Sequence, residues 1–398
     1  MSLSCRASTA GIGKGFAEVN HQTVDVAVVG AGVLGLAHAY LAALSGRSVA
    51  VFERNPLAIG ASVRNFGMLW PIGQPPGELH NMALRSRRHW VEVLEAAGLP
   101  YQPTGSLHVV YEADEAAVAK EFAEVAPGLG FRCEWLDACG VLERSHAVRP
   151  EGLIGGLWSP TELTLDPRVV IREIPALLQE KYDVQFHYAT AVRSINLPVI
   201  EAGTGAWHAE HAIVCGGDDF ETLYPGHFRE SGITRCKLQM MRTRPQPDRW
   251  ELGPSLAAGL TLRFYPSFCV CSSLPALKAR IASQLPEYDR WAIHCLVSQN
   301  ADGEVTLGDS HEYGLSVNIF DQPHIDELVL RYTERFLTLP DWTIGQRWNG
   351  VYAKHPDKPY MSFSPAPNVQ VVTATGGSGM TLSFGLAEQT LREMGLQT

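Results

Sequence analysis

The sequence predicts an α/β fold: a parallel sheet with helices, joined to a second, β-rich unit. Three observations predict it. A strand, a glycine turn, a helix and a second strand follow one another between Val24 and Glu53. A second strand–glycine–helix run starts at Val369. Over 237–345 the pattern changes to alternating apolar strands, many prolines and a hairpin-like Asp302-Gly303.

Val24–Val29 is apolar apart from Asp25, as a buried parallel strand should be. Gly30, Gly32 and Gly35 follow, then alanine-rich helix formers from about Val33 to Ser45, with Gly46 where a helix C-cap belongs. Arg47–Phe52 returns as a strand and ends at Glu53 and Arg54. The glycine spacing has a mechanical reason. Gly30 permits the tight turn, Gly32 lets the backbone approach a pyrophosphate, and Gly35 lets the helix pack on the strand. The helix N-terminus, with Val33 and Leu34 in its first turn, offers free N–H groups and a partial positive charge to phosphates. Glu53 lies 23 residues after Gly30, where an acid accepts hydrogen bonds from a ribose diol. These elements together predict a dinucleotide site.

Asn81–Ala97 reads as a helix with Met82, Trp90, Val93 and Leu94 inside and Arg85, Arg87 and Arg88 on a solvated face. Asp166-Pro167 reads as an N-cap followed by Pro at the first helical position, opening a helix through about Lys181. Strand-like runs at Val184–Ile195 and His208–Cys215 follow, the second ending in Gly216-Gly217. The strand Val369–Ala374, the turn Gly376-Gly377-Ser378-Gly379 and a helix from about Thr381 supply a second helix N-terminus that can face a ligand.

The composition narrows the function classes. With 45% apolar and 19% charged residues in 398, the chain is an ordinary globular protein able to bury a large core. A net charge of −10 argues against a nucleic-acid partner. The eight cysteines include no CxxC pair, so neither a metal site nor a disulfide framework is expected, and a reducing, cytoplasmic setting fits. Cys269 and Cys271 read as one face of a strand. Val26 to Gly46 carries no Asp, Glu, Lys or Arg and is long enough to span a bilayer. Its internal switch from β-branched to alanine-rich residues points instead to a buried βα unit, so no membrane span is expected. Residues 1–23 read as a flexible N-terminal extension.

Three blocks occur in order: "VAVVGAGVLGLAHAYLAALSGRSVAVFER", "GASVRNFGML" and "VVTATGGSGMTLSFGLAEQTL". On these the chain resembles the D-amino-acid oxidase, glycine oxidase and sarcosine oxidase family of flavoproteins, from about Val24 to Gly395. The first block alone indicates a dinucleotide; the three together indicate FAD. The resemblance implies a Rossmann-like FAD-binding domain of the glutathione-reductase type, discontinuous over about 24–99, 153–236 and 346–398. It also implies a substrate domain of antiparallel sheet and helices over about 100–152 and 237–345, with the ligand between the two on the flavin face. Gly30, Gly32, Val33, Leu34, Gly35, Glu53 and Arg54 are then FAD contacts. Ser62, Arg64, Asn65, Phe66 and Gly67 fall beside the ring, and Val192 with Cys215 and Gly216 near the adenine. Gly376, Gly377, Ser378, Gly379, Met380 and Thr381 fall at the pyrimidine side, where N–H donors stabilise the charge that grows on reduction.

The family oxidises small amines by hydride transfer to flavin N5, and the imine then hydrolyses. The cofactor does the difficult electronics, so the resemblance implies neither a catalytic triad nor a metal cluster. Two usual carboxylate anchors are missing. The glycine-oxidase arginine after Trp-x-Gly-x is Tyr352 here, and the sarcosine-oxidase lysine in the last glycine segment is Ser383. The flavin-attaching cysteine of some members is absent around Gly350–Ala353, so FAD is expected to be non-covalent. Thr306 stands where sarcosine oxidases carry the lysine that promotes reaction with oxygen, leaving oxygen or another electron acceptor as the partner. The segment Gly308-Asp309-Ser310-His311-Glu312-Tyr313-Gly314 resembles a subgroup linked with aminophosphonate breakdown. His311, Tyr352, Lys354 and His355 are therefore candidate substrate contacts. His311 also reads as a satisfied buried histidine, and Lys354 and His355 as ordinary surface charges. Two other function classes stay open: a flavin-bearing subunit that needs a partner electron acceptor, and an NAD-dependent dehydrogenase using the same βαβ unit.

Overall fold

The first strand, Thr23–Val29, ends up at the centre of a sheet because its side chains are apolar on both faces. The computed structural model describes residues 23–396. Of the extension expected at 1–23, only Thr23 falls among the described residues, and it opens this strand. Thr23–Val29 pairs in parallel with Val49–Phe52 on one side and Gly205–Val214 on the other. Gln185–His187 and Val369–Thr373 extend the parallel set at its two ends. Gly205–Val214 serves two neighbours along one edge. Gly205–His208 pairs with Val199–Ala202 and Ala212–Val214 with Val369–Val371. The sheet totals eight strands.

The helix Val33–Leu44 crosses between the first two strands and is buried along nearly its whole length, which is why its sequence carries no charge. At about 1.5 Å per residue it is roughly 18 Å long, too short for a bilayer core of about 30 Å. Among the described residues no helix is long and apolar enough to cross a membrane. The helix Gly379–Glu393 packs on it and on a further helix, Glu78–Ala97. Met82, Trp90, Val93 and Leu94 are all 0% exposed at this contact, each stabilising by roughly 1.5–3 kcal/mol. Of the expected arginine face only Arg88 stands largely in solvent. Arg85 is tied to Glu388 at 3.0 Å, and Arg87 donates to the Thr161 carbonyl at 2.6 Å.

The second sheet has nine strands. It is antiparallel except where Ser255–Ala258 lies parallel to Ser106–Val110. Its longest pairing joins Thr234–Thr243 to Ile344–Lys354, in register from Thr234 opposite Lys354 to Arg242 opposite Gln346, then shifting to Thr243 opposite Ile344. That strand runs through the boundary expected at 345/346, and Gly155–Ser159 also pairs in this sheet rather than the parallel one. A small third sheet of Met68–Leu69, Leu163–Leu165 and Tyr101–Gln102 lies beside them.

Two local readings need correction. The run expected as one strand at Val184–Ile195 is two, Gln185–His187 and Val192–Asn196. Between them the N–H groups of Ala189 and Thr190 donate to the carbonyls of Asn55 and Glu53, pulling the chain off the sheet. Cys269 and Cys271 do not share a strand face. Pro266 opens a short helical turn, Pro266–Val270, that leaves Cys269 exposed and Cys271 buried.

Candidate active site

The turn after the first strand leaves no room for side chains. Gly30 has φ +99°, and a Cβ there would sit 2.4 Å from the Cys215 carbonyl oxygen. A Cβ on Gly35 would sit 1.8 Å from the Gly30 carbonyl oxygen, so the helix approaches the strand only because both are glycine. Val33 and Leu34 put their side chains into the core, leaving backbone to face a ligand. The Glu53 carboxylate, 8% exposed, folds back on this turn. One oxygen accepts from Ala31 N–H at 3.0 Å, the other from Asn55. Arg54 extends outward to Asp219 at 2.6 Å. Val192 is buried in its strand, and Cys215 N–H donates to the Val29 carbonyl, so Gly216 begins just past the sheet.

The segment 60–67 is pinned between the two large sheets. Ser62 Oγ accepts from Val33 N–H at 2.9 Å, occupying one donor of the first helix. Arg64 donates to the Asn349 carbonyl at 3.3 Å, while its own carbonyl accepts from Trp348 Nε1 at 3.2 Å. Asn65 spends its amide within the loop, donating to the Ala61 and Ser62 carbonyls and accepting from Gly67 N–H. The Phe66 carbonyl accepts from Ser298, and its ring lies against Gly308. Gly67 has φ +72° and runs so near the Leu165 carbonyl that a Cβ would be 1.9 Å away.

The second glycine turn closes the other end. Gly376–Ser378 is a short helical turn leading into Gly379–Glu393. A Cβ on Gly379 would lie 3.8 Å from Val33 Cγ1, which brings the two glycine motifs together. Ser378 Oγ accepts from Gln74, the Met380 carbonyl from Trp90 Nε1 and Thr381 Oγ1 from Trp70 N–H, at 3.1, 2.8 and 2.9 Å. The cradle is thus backbone-lined at Gly30–Gly32 and Gly376–Gly379, with a buried acid at Glu53. These residues fit FAD: phosphates at the helix start, a ribose at the acid, and a flavin edge at the second turn.

Two of the six substrate candidates, Tyr352 and Lys354, converge on that second turn, and a third, His311, is linked to Lys354 through Tyr313. Tyr352 Oη lies 3.7 Å from where a Gly377 Cβ would be, and Lys354 Cγ lies 4.0 Å from that of Gly376. A backbone bridge from Lys354 to Thr375 fixes this approach. The Lys354 ammonium stands 5.5 Å over the Tyr313 ring, and Tyr313 stacks on His311 at 6.1 Å. Burial, with Cys236 and Asp309 nearby, pushes the Tyr352 phenol well up, so it remains a hydroxyl donor. Burial pushes His311 down to about 4, against the pull of Asp309.

The other three candidates are engaged elsewhere. Thr306 Oγ1 accepts from Arg242 Nε at 3.3 Å on a buried strand. Ser383 is 0% exposed, and its hydroxyl donates to the Met380 carbonyl of its own helix. His355 Nδ1 accepts from the N–H groups of Asp357 and Lys358 at 3.0 and 3.1 Å, so it caps a turn. Sequence reasoning overlooked His294 and Asp309. Asp309 sat inside a segment singled out for His311, but nothing in the sequence pairs it with His294. Two open clefts of about 340 and 460 Å³, around Gly259 and around Arg132, share no residue with this cluster.

Comparison with known proteins agrees with this architecture. The DAO family model, "FAD dependent oxidoreductase", matches residues 25–392. No curated protein sequence matches. Among solved structures the chain is similar to glycine oxidase from Geobacillus kaustophilus, with TM-score 0.72, 19% identity and coverage of 93% of this chain and 95% of that one. It is similar to L-proline dehydrogenase from P. horikoshii, with TM-score 0.75, 18% identity and 95% of both chains covered. An FAD-bound, dithionite-reduced L-alpha-glycerophosphate oxidase from Mycoplasma pneumoniae gives TM-score 0.70 at 16% identity, covering 94% of this chain and 95% of that one. At these identities the likeness is one of fold.

Proposed function

Because the chain belongs to the DAO family of FAD-dependent oxidoreductases, we propose that it oxidises the C–N bond of a small primary or secondary amine, the imine product then being hydrolysed. The NAD-dependent alternative falls with that membership. The observation that carries the reading is the convergence of Tyr352 and Lys354 on Gly376–Gly377, the turn assigned to the flavin edge. Bound FAD supplies the two-electron acceptor.

The chain's own residues have three tasks. Lys354 supplies a fixed positive charge, and the Tyr352 hydroxyl a donor, for an anionic group on the substrate. With no arginine fork at this position, a phosphonate or other donor-hungry anion suits the pair as well as a carboxylate does. His311 faces the nitrogen end. The rings of Phe264 and Tyr313 flank His311 on its two sides. In domain terms we take the eight-stranded sheet as the FAD body and the nine-stranded sheet as the substrate body, with Ile344–Lys354 carrying contacts from the second to the first. The seven free cysteines among the described residues suit a reducing, cytoplasmic location.

Purified yellow protein mixed anaerobically with glycine, sarcosine, other N-methyl amines and 2-aminoethylphosphonate tests this reading. At least one amine should bleach the long-wavelength flavin band, and admitting air then shows whether oxygen is the acceptor. A broad panel in which none bleaches it overturns the assignment.

A further inference from the structure

Behind His311 lies a group the reaction as written above does not use. The chain at 291–294 runs beside 309–311. Asp309 N–H donates to the His294 carbonyl at 2.9 Å, His294 N–H to the Asp309 carbonyl at 3.2 Å, and His311 N–H to the Trp291 carbonyl at 2.8 Å. This pairing puts three side chains together. His294 Nε2 is 3.0 Å from Asp309 Oδ1, and one donor atom from each of His294, Asp309 and His311 lies within 4.8 Å of the others. Asp309 is 5% exposed and His294 6%.

The composition is that of a metal site, and the contact of His294 with Asp309 is equally that of a proton site. His294 Nε2 and Asp309 Oδ1 stand in ion-pair contact without the alignment of a hydrogen bond, so Oδ1 is buried without a hydrogen-bond partner. The imidazoles of His294 and His311 are stacked, 5.0 Å apart and 21° from parallel.

Tautomers follow from the partners. His311 Nδ1 sits 3.0 Å from the Ala292 carbonyl, which can only accept, so Nδ1 carries the proton and Nε2 keeps its lone pair. His294 turns Nε2 to Asp309 and leaves Nδ1 buried without a partner. Burial alone would raise the Asp309 carboxyl, but the fields of His294 and then His311 hold it below its ordinary value, so it is a carboxylate. The other groups acting on His311 are His294 and the Lys354 ammonium, with the Tyr313 ring stacked on it, so Asp309 is the one anion among these neighbours.

Resting on the amine reading above, we propose that His311 Nε2 accepts the proton leaving the substrate nitrogen, and that Asp309, held by His294, is the positioning residue that makes the resulting imidazolium tolerable in the pocket. In this step one N–H bond of the substrate ammonium breaks and its electron pair stays on nitrogen as the lone pair. The proton forms a bond to Nε2, and nothing is oxidised or reduced. Asp309 becomes the counter-ion of the new cation. An anionic substrate group beside Lys354 acts in the same direction, raising the basicity of His311 when substrate is bound.

The test uses FAD-loaded, full-length protein labelled with ¹⁵N-histidine, with His311→Gln assigning the signal. Wild type should show His311 neutral and protonated at Nδ1 at neutral pH, titrating on the acid side. Asp309→Asn should lower that midpoint by about one pH unit or more. His294→Gln should lower it by less, and serves if Asp309→Asn does not fold. With whichever amine bleaches the flavin, the acid limb of the reduction rate should move to lower pH in Asp309→Asn, with a plateau at least about tenfold lower, and should vanish in His311→Gln. Reduction with an unmoved His311 midpoint overturns the proposal while leaving the amine reading intact. A stoichiometric metal ion bound by these three residues in the purified protein also overturns it. If no amine reduces the flavin, the parent reading fails first.

Discussion

At Gly35 a methyl group would lie 1.8 Å from a backbone oxygen, whereas at Gly60 a Cβ meets nothing within 4 Å. Gly35→Ala should therefore cost more than about 3 kcal/mol or abolish retention of FAD, and Gly60→Ala should stay within about 0.5 kcal/mol. Thermal unfolding with the flavin absorbance of the purified protein reads both. Near the second turn, Lys354→Met should weaken binding of an anionic amine about tenfold, a loss of about 1.4 kcal/mol, measured from the concentration dependence of anaerobic flavin reduction. His355→Ala should leave that binding unchanged, because its imidazole holds the N–H groups of Asp357 and Lys358. Its expected effect is a stability loss of about 1 kcal/mol. The two residues are adjacent in sequence and opposite in role.

One scale up, elements are joined by charge as well as by sheets. Asp166 caps the helix Pro167–Tyr182 and pairs with Arg168 at 2.6 Å. Arg168 also reaches Glu304 at 2.8 Å, in the hairpin between Leu296–Gln299 and Val305–Gly308, and Glu304 holds Arg242 at 3.2 Å. Burial raises the Asp166 carboxyl, but the Arg168 hydrogen bond and charge, with help from Asn300, bring it below its ordinary value. A carboxyl lowered by folding contributes stability that is present above its unfolded pKa and lost as pH falls through the folded one. Wild type should lose stability on acidification below about pH 5, and Asp166→Asn should flatten that slope, measured by denaturant unfolding at several pH values. Elements of this kind were legible in the sequence where the signal was contiguous: the Asp166-Pro167 cap, the glycine turns and Glu53 each sit within one local pattern. The pairing of His294 with Asp309 was not, because it depends on the register of two separate segments. Likewise Val184–Ile195 reads as one strand by composition, and only the carbonyls of Glu53 and Asn55, brought alongside by the fold, divide it.

For the molecule as a whole, three separate stretches, 30–35, 60–67 and 376–381, meet where FAD fits, so the cofactor should act as a brace between elements far apart in sequence. Removing FAD should lower the melting temperature, and free FAD at 100 times its Kd should restore about 2.7 kcal/mol. The fold class and both glycine motifs could be expected from sequence, but the path of Ile344–Lys354 could not. That strand belongs by pairing to the nine-stranded sheet and touches the second glycine turn at its far end, and through it Tyr352 and Lys354 reach Gly377 and Gly376. A crystal structure of the FAD-loaded protein tests this arrangement most directly. The account predicts the isoalloxazine edge against the backbone of Gly376–Thr381, with Tyr352, Lys354 and His311 gathered over its reactive face. A flavin ring turned away from these three side chains would contradict it.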